Sequence, residues 1–419
     1  MLHTNHIMKN SGVQWIGLMP SHWIITKGKY LLKLLQKPIL NDDGVITCFR
    51  DGEVTLRSNR REDGFTISEK EIGYQGIDVG DLVVHGMDGF AGAIGISDSR
   101  GKASPVLNVL DSTQNKRYLM YYLRAMAYGD VFVGLATGIR VRSCDLSWSK
   151  LSEIVFPVPP LAEQEKIARY LDEKCAEIDA MAASIRKEVE TLVQYKCSVV
   201  IQTVTKGLNM NARLKNSSIE WIGDIPEHWG LIKNRYIFNK RKEIVGSKWE
   251  ETQLLSLTKK GVVRKDIGEG GGKQPTSFST YQLLEKGDII MCLFDLDVSA
   301  VFSGLSTLNG MISPAYKRYK CNDGYFNGYY KYYFDAVFMG RHYKLYSKNL
   351  RYTVDDEIFD SIFSIVPPIE EQMLIAEFLD KKCSEIDGLI MKKEEQLGIL
   401  DSYKKSLIYE YVTGKKAII

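Results

Sequence analysis

The chain has 419 residues, of which 44% are hydrophobic and 26% charged, a length and balance that fit two or three domains of ordinary soluble protein. No apolar run approaches the roughly 18 residues needed to cross a bilayer, and the first residues lack the basic and apolar segments of a signal peptide, so a cytoplasmic chain with no membrane partner is expected. Seven cysteines with no Cys-x-x-Cys pair argue against a disulfide framework and a zinc site, and a net charge of +3 alone decides nothing about nucleic acid.

In chain order, residues 11–23 come first, reading Ser-Gly-Val-Gln-Trp-Ile-Gly-Leu-Met-Pro-Ser-His-Trp. A mixed region follows. Arg57, Asn59, Arg60 and Arg61 cluster in a polar loop, Gly80-Asp81 leads into the strand-like run Leu-Val-Val, and an aromatic stretch around Tyr121-Tyr122 reads as helix. Arg140 and Arg142 follow Thr137-Gly138 in a loop before the last strand. Pro159-Pro160-Leu161-Ala162-Glu163-Gln164 then opens a long helix, with proline suited to its start and Glu163 to the first-turn dipole. The polar stretch between Lys206 and Ile219 reads as a linker.

The chain is then written again. Trp15, Ile16, Gly17, Pro20, His22 and Trp23 recur as Trp221, Ile222, Gly223, Pro226, His228 and Trp229. Gly287-Asp288 answers Gly80-Asp81, Ser313-Pro314 answers Ser104-Pro105, and Tyr332-Tyr333 answers Tyr121-Tyr122. Pro367-Pro368-Ile369-Glu370-Glu371-Gln372 opens a second long helix. Between these landmarks the copies diverge: the Arg57–Arg61 loop has no evident counterpart in the second copy, nor has Gly268–Gln274 in the first. Positive charge collects in the two mixed regions, with 18 Lys/Arg against 16 Asp/Glu over 1–158 and 22 against 18 over 209–366. A solvated surface gives the same distribution.

After each Pro-Pro the apolar positions step by three and four: Ala168, Leu171, Cys175, Ile178, Ala182, Ile185, Val189, Leu192 and Val199 in the first copy, Ala376, Leu379, Cys383, Ile386, Ile390, Leu397, Leu400 and Leu407 in the second. Lys196, Lys393 and Lys404 interrupt this seam and are candidates for fixing register. Each segment of about 45 residues would reach about 68 Å at 1.5 Å per residue. A narrow seam needs a partner, and the other helix is the obvious one. The first helix carries the chain away from the first mixed region and the second leads back, so the pair is expected to be antiparallel about a pseudo-twofold axis. The expected fold is α+β: domains at 1–158 and 209–366, joined by two long antiparallel coiled-coil helices at 159–208 and 367–419. Twofold proteins read DNA half-sites about one turn apart. From pattern alone, two DNA-reading heads and a non-DNA coiled-coil adaptor with two protein-binding heads fit equally well.

The doubled constellation of Trp-Ile-Gly-x-x-Pro-x-His-Trp, Pro-Pro-x-x-Glu-Gln and the following Ile167-Ala168…Leu171-Asp172 and Ile375-Ala376…Leu379-Asp380 resembles the specificity subunit of type I restriction–modification systems, over nearly the whole chain and in the same order. The resemblance implies that each mixed region is a target recognition domain, similar to those of adenine-N6 DNA methyltransferases. It implies that the helices separate these domains and dock modification subunits. It also implies partners: double-stranded DNA, methyltransferase subunits bringing S-adenosylmethionine, and an ATP- and Mg-dependent restriction subunit that translocates and cuts. No cofactor is expected on this chain.

An enzyme reading finds little support. There is no Asn-Pro-Pro-aromatic or Asp-Pro-Pro-aromatic methylase motif, no phosphate loop (Lys273 is followed by Gln274), no His-Glu-x-x-His and no metal-ligand cysteine pair. The chain is therefore expected to be non-catalytic. His22 and His228 lie inside the repeated tryptophan motif, which is expected to anchor the chain where it meets each domain. Phosphate contact calls for Lys and Arg, and base selection for forked groups at groove edges. Candidates in the first domain are Arg57, Asn59, Arg60, Arg61, Arg140 and Arg142. In the second they are Lys259, Lys260, Arg264 and Lys265 around Gly261, and the basic, tyrosine-interleaved run of Arg341, His342, Lys344, Lys348 and Arg351. His85–Asp88 and Phe294–Asp297, which follow the matched Gly-Asp strands, are further candidates for reaching bases.

Overall fold

The computed structural model of the chain describes residues 7–60, 71–134, 146–259, 261–268, 275–296, 299, 301–347 and 352–418. It separates into two units, residues 1–185 with 395–419 and residues 186–394. Among the described residues no helix is long and apolar enough to cross a membrane.

In the first unit a two-stranded ribbon, Met8–Asn10 against Leu18–Pro20, precedes the strand Ile24–Lys27, which pairs antiparallel with Val155–Val158. Between them lies a four-stranded antiparallel sheet in the order Lys33–Leu34, Leu107–Asp111, Leu82–His85, Ile94–Ile96. Two smaller pairs join it: Ile46–Cys48 with Val54–Leu56, and Gln75–Ile77 with Gly101–Ala103. The unbroken Leu-Val-Val run has a physical explanation. Leu82 and Val84 enter the main core beneath helix α1 (Lys116–Tyr128), while Val83 enters a smaller core with Ile46, Leu107 and Val109. A strand buried on both faces has no reason to alternate with polar residues.

The second unit repeats this element by element. The ribbon is Leu214–Asn216 with Asp224–Pro226, so part of the stretch expected to be a linker is in fact a strand. Gly230–Lys233 pairs with Phe363–Val366, and the four-stranded order is Phe238–Arg241, Lys317–Cys321, Ile289–Met291, Ser303–Leu305. The hairpin Leu255–Thr258/Gly261–Arg264 and the pair Gln282–Leu284/Gly310–Ile312 complete it. Ile289 and Met291 face the main core under α3 (Asn327–Met339), and Ile290 faces the smaller one.

The long helices are α2, Leu161–Lys206, and α4, Ile369–Val412. They pair antiparallel within each unit. In the first, Tyr170 lies 4.6 Å from Tyr411 ring to ring and Asp179 accepts from Lys404 Nζ at 2.7 Å. In the second, Glu188 pairs with Lys393 at 2.7 Å and Lys196 with Asp387 at 2.6 Å. All three lysines that break the apolar seam are thus satisfied across it. Lys196–Asp387 and Lys404–Asp179 are the same pair in the two copies, which fixes register through charge at positions where an aliphatic residue would tolerate slippage.

The repeated motifs are the anchorage of these helices. Trp23 and Trp229 are each 1% exposed. The Glu163 carboxylate accepts from Trp23 Nε1 at 3.1 Å and lies 2.9 Å from His22 Nε2; Glu371 does the same for Trp229 at 2.9 Å and His228 at 2.6 Å. Gln164 and Gln372 are fully buried. Their side-chain amides donate to Pro159 O and Pro367 O, while their carbonyls accept from the backbone N–H of Asn115 and Phe326, the residues that cap α1 and α3. Tyr121 and Tyr332 donate to Asp172 and Asp380 one helical stretch later. The far helix ends return to the same tryptophans. Gly414 follows α4 with φ +70° against Pro20 and Trp23, and Gly207 follows α2 with φ +72° against Trp229. Each indole therefore seats the start of one long helix and the end of the other.

Candidate nucleic-acid interface

The two short hairpins carry candidate cations at equivalent places. In the first unit Ile46 pairs with Leu56, and the next residue, Arg57, donates its backbone N–H to Val45 O at 2.8 Å. In the second Leu255 pairs with Arg264, and Lys265 donates to Leu254 O at 2.9 Å. Arg57 and Lys265 are thus structural counterparts, which the sequence comparison missed: the intervening hairpin turns differ in length, so no constant offset aligns them. Lys259, Arg264 and Lys265 are exposed on this hairpin, whose tight turn uses Gly261 at φ +90°.

The rest of the first cluster is more committed. Arg57 is half-buried and its Nε donates to Thr47 at 3.3 Å. Asn59 donates to Thr55 at 2.9 Å. Arg60 pairs with Asp51 at 2.6 Å and Glu53 at 3.0 Å, and its guanidinium lies 4.2 Å from the Phe49 ring centre. The Asp51 hydrogen bond above all holds Arg60 in its charged form, and the two carboxylates cancel that charge. Arg60 therefore shapes the loop, leaving Arg57 and Asn59 at its base. Arg61, Arg140, Arg142, Lys260, Lys348 and Arg351 lie outside the described residues.

In the second unit Arg341 is exposed and sits at φ +54° before a single helical turn, His342–Leu345. His342 stacks on Trp221, ring centres 4.4 Å apart and planes 18° from parallel, and burial pushes its pKa down. The stacked imidazole is a packing element for the tryptophan motif. Lys344 Nζ lies 4.6 Å from the Tyr352 ring centre. Among the described residues of this run, Arg341 is the most exposed cation and Lys344 is half-buried. At the end of the Gly-Asp strand, His85 Nδ1 accepts from the backbone N–H groups of Met87 and Asp88 at 3.1 and 3.0 Å, holding its own turn, while Asp88 pairs with Arg50 at 2.9 Å. Phe294 packs toward Tyr316, and Asp295 sits at φ +49°. A basic group that the sequence reading passed over is Lys240-Arg241-Lys242, joined by Lys317 and Arg318 from the neighbouring strand. Three consecutive cations were its visible signal.

The Gly-Asp landmark is a buried turn. Asp81 accepts from the backbone of Asp78 at 2.8 Å, and Asp288 from Glu285 at 2.7 Å. Each also carries a cation: Lys37 for Asp81 at 2.6 Å, Arg318 for Asp288 at 2.5 Å. Among the described residues no group of three or more His, Cys, Asp or Glu is placed to hold a metal ion.

No protein-family model matches the chain. Among curated proteins, it is 23% identical over 424 residues to one named putative type I restriction enzyme MjaX specificity subunit, from Methanocaldococcus jannaschii, covering 96% of this chain and 95% of the relative. A second from the same organism, named type I restriction enzyme MjaVIII specificity subunit, is 24% identical over 278 residues, 62% of each chain. Both relatives are named as specificity subunits of type I restriction enzymes. The first similarity runs over nearly the whole chain, as the doubled motifs led us to expect, and the second over about three fifths of it. A chain from a solved structure concerned with complex assembly and conformational transition of the type I R-M system covers 95% of this chain and 99% of its own length, with a TM-score of 0.61 at 14% identity, a likeness of fold.

Proposed function

We propose that this chain is the DNA-specificity subunit of a type I restriction–modification assembly. It is a non-catalytic, cytoplasmic subunit that reads a gapped, bipartite duplex target. Residues 1–158 and 209–366 act as target recognition domains, one for each half of the target. The helices at 159–208 and 367–419 set the gap and dock the modification subunits. Methyl transfer from S-adenosylmethionine and ATP- and Mg-dependent cleavage belong to the partner subunits. The observation that carries this reading is the element-by-element repeat in a chain whose full length resembles specificity subunits: one scaffold twice, with different cations on equivalent hairpins. In this reading Arg57 and Asn59 in the first domain, and Lys259, Arg264, Lys265 and Arg341 in the second, meet the duplex. A scaffold with divergent loops is how one fold reads two sequences.

The test is co-expression with the cognate modification subunit, followed by genome-wide mapping of methylated adenines. One gapped, asymmetric motif is expected. Replacing residues 217–366 with the corresponding domain of a relative should change one half of the motif only. If both halves survive that exchange unaltered, base reading does not reside in these domains.

A further inference from the structure

Arg318 is 1% exposed, and among the described residues its guanidinium makes one hydrogen bond, from Nε to Asp288, at 2.5 Å. Both terminal nitrogens, Nη1 and Nη2, are buried without a hydrogen-bond partner among the described residues; Nη2 lies 3.4 Å from Glu285 Oε2, outside hydrogen-bond geometry. An unsatisfied buried guanidinium is costly, because its donors lose water and gain nothing in return. The scaffold does not demand it. Strand pairing puts Val109 at the equivalent position of the first unit, where Lys37 supplies the cation for the Gly-Asp turn instead.

Arg318 lines a pocket of about 90 Å³. Its wall also holds Lys240, Arg241, Lys242 and Lys317, with the Thr280 side chain beside them. Asp356 neutralises Lys240 and Lys317 in part, and Glu285 stands 4.0 Å from Arg241. Five cations against the three carboxylates Asp288, Glu285 and Asp356 leave a positive excess around unpaired, forked N–H donors. That is the chemistry of a tetrahedral oxyanion site, where a guanidinium fork gives paired hydrogen bonds and lysines give charge. The volume admits several waters or one such ion.

We infer that the second unit holds a phosphate-binding pocket built on Arg318, with Arg241 and Lys242 at its rim. The phosphate has two sources, a free ion or ester and the backbone of a duplex. The site stands independently of the proposed sequence-reading role. The experiment has two arms on the full chain. In the first, thermal stability is measured in inorganic phosphate against chloride at matched ionic strength. In the second, affinity for a duplex is followed against salt. Both are repeated for Arg318→Lys, which keeps a cation for Asp288 but removes the fork, and for the rim variant Arg241→Ala/Lys242→Ala, which leaves the buried pair intact.

A free-phosphate site predicts a phosphate-specific rise in Tm, with affinity falling about tenfold in either variant. A backbone-phosphate site predicts no such rise, but a salt slope shallower by about 1 in the rim variant. If phosphate behaves as chloride does and the slope is unchanged, the pocket is not an oxyanion site. Neither arm depends on methylation, so failure here is distinct from failure of the methylated-adenine map.

Discussion

Each buried indole faces a left-handed glycine, and this gives a graded test of how the long helices are seated. Replacing glycine with alanine at positive φ costs about 1–2 kcal/mol from backbone strain alone. Gly17, at φ +65°, would place a Cβ no closer than 3.7 Å to anything, the tip of Lys415, and Gly223, at φ +64°, meets nothing within 4 Å. Gly17→Ala and Gly223→Ala should therefore lose about 1–2 kcal/mol each. At Gly414 the added Cβ falls 2.2 Å from Pro20 Cδ, 2.7 Å from its Cγ and 3.1 Å from Trp23 Cη2. A proline ring in a buried turn cannot rotate away, so a further overpacking cost of about 1–3 kcal/mol applies. Gly414→Ala should lose about 2–5 kcal/mol in all. Gly207→Ala is intermediate, with its Cβ 2.9 Å from Trp229 Cζ2. Urea denaturation followed by far-UV circular dichroism reads the series, each tight variant compared with the strain-only variant of its own unit. If Gly414→Ala is no worse than Gly17→Ala, the helix end is not wedged against Trp23 and the seating described above is wrong.

Glu163→Ala leaves the Trp23 N–H buried with no acceptor and should cost about 1–3 kcal/mol, while Glu163→Gln, which keeps an acceptor oxygen, should recover part of that; denaturation midpoints decide. Reversing both charges of the Asp179–Lys404 pair should leave stability within about 1 kcal/mol, whereas reversing one should lower it, as a double-mutant cycle would measure. Burial raises the Asp335 pKa to about 6, against the opposing pull of Lys331 and then Lys196. The folded chain therefore holds a proton that the unfolded chain releases between about pH 4 and 6, and stability from this group falls as pH rises through that window. Asp335→Asn should stabilise the protein at pH 7 by about 1–2 kcal/mol after solvent screening and make no difference near pH 4; a stabilisation that persists at pH 4 would exclude the titration as its cause.

What was legible in the sequence follows physical necessity. The tryptophan, Pro-Pro-Glu-Gln and Leu-Asp landmarks recur because they make the same hydrogen bonds twice, as Glu163 and Glu371, Gln164 and Gln372, and Tyr121 and Tyr332 demonstrate. The helix pairing was visible in a seam of period 3.5, and the lysines that broke it were visible as exceptions although their acidic partners were not. The candidate interface was less legible. Arg60 and Arg57 look alike in sequence, yet neighbouring carboxylates neutralise Arg60, and those neighbours come from the turn of the preceding hairpin. His342 looked like part of a basic run but is neutralised by burial against a tryptophan more than a hundred residues away. Arg57 and Lys265 became counterparts only once strand register, rather than chain offset, aligned them.

The double seating of helix ends on Trp23 and Trp229 separates what can vary from what cannot. Everything between Ile24 and Val155, or between Gly230 and Phe363, hangs on a socket whose contacts use the same few side chains in both copies. An exchange of the segment between those boundaries for that of a relative should therefore leave in place the contacts that seat both long helices, so the inserted stretch need match only the socket and not the helices beyond it.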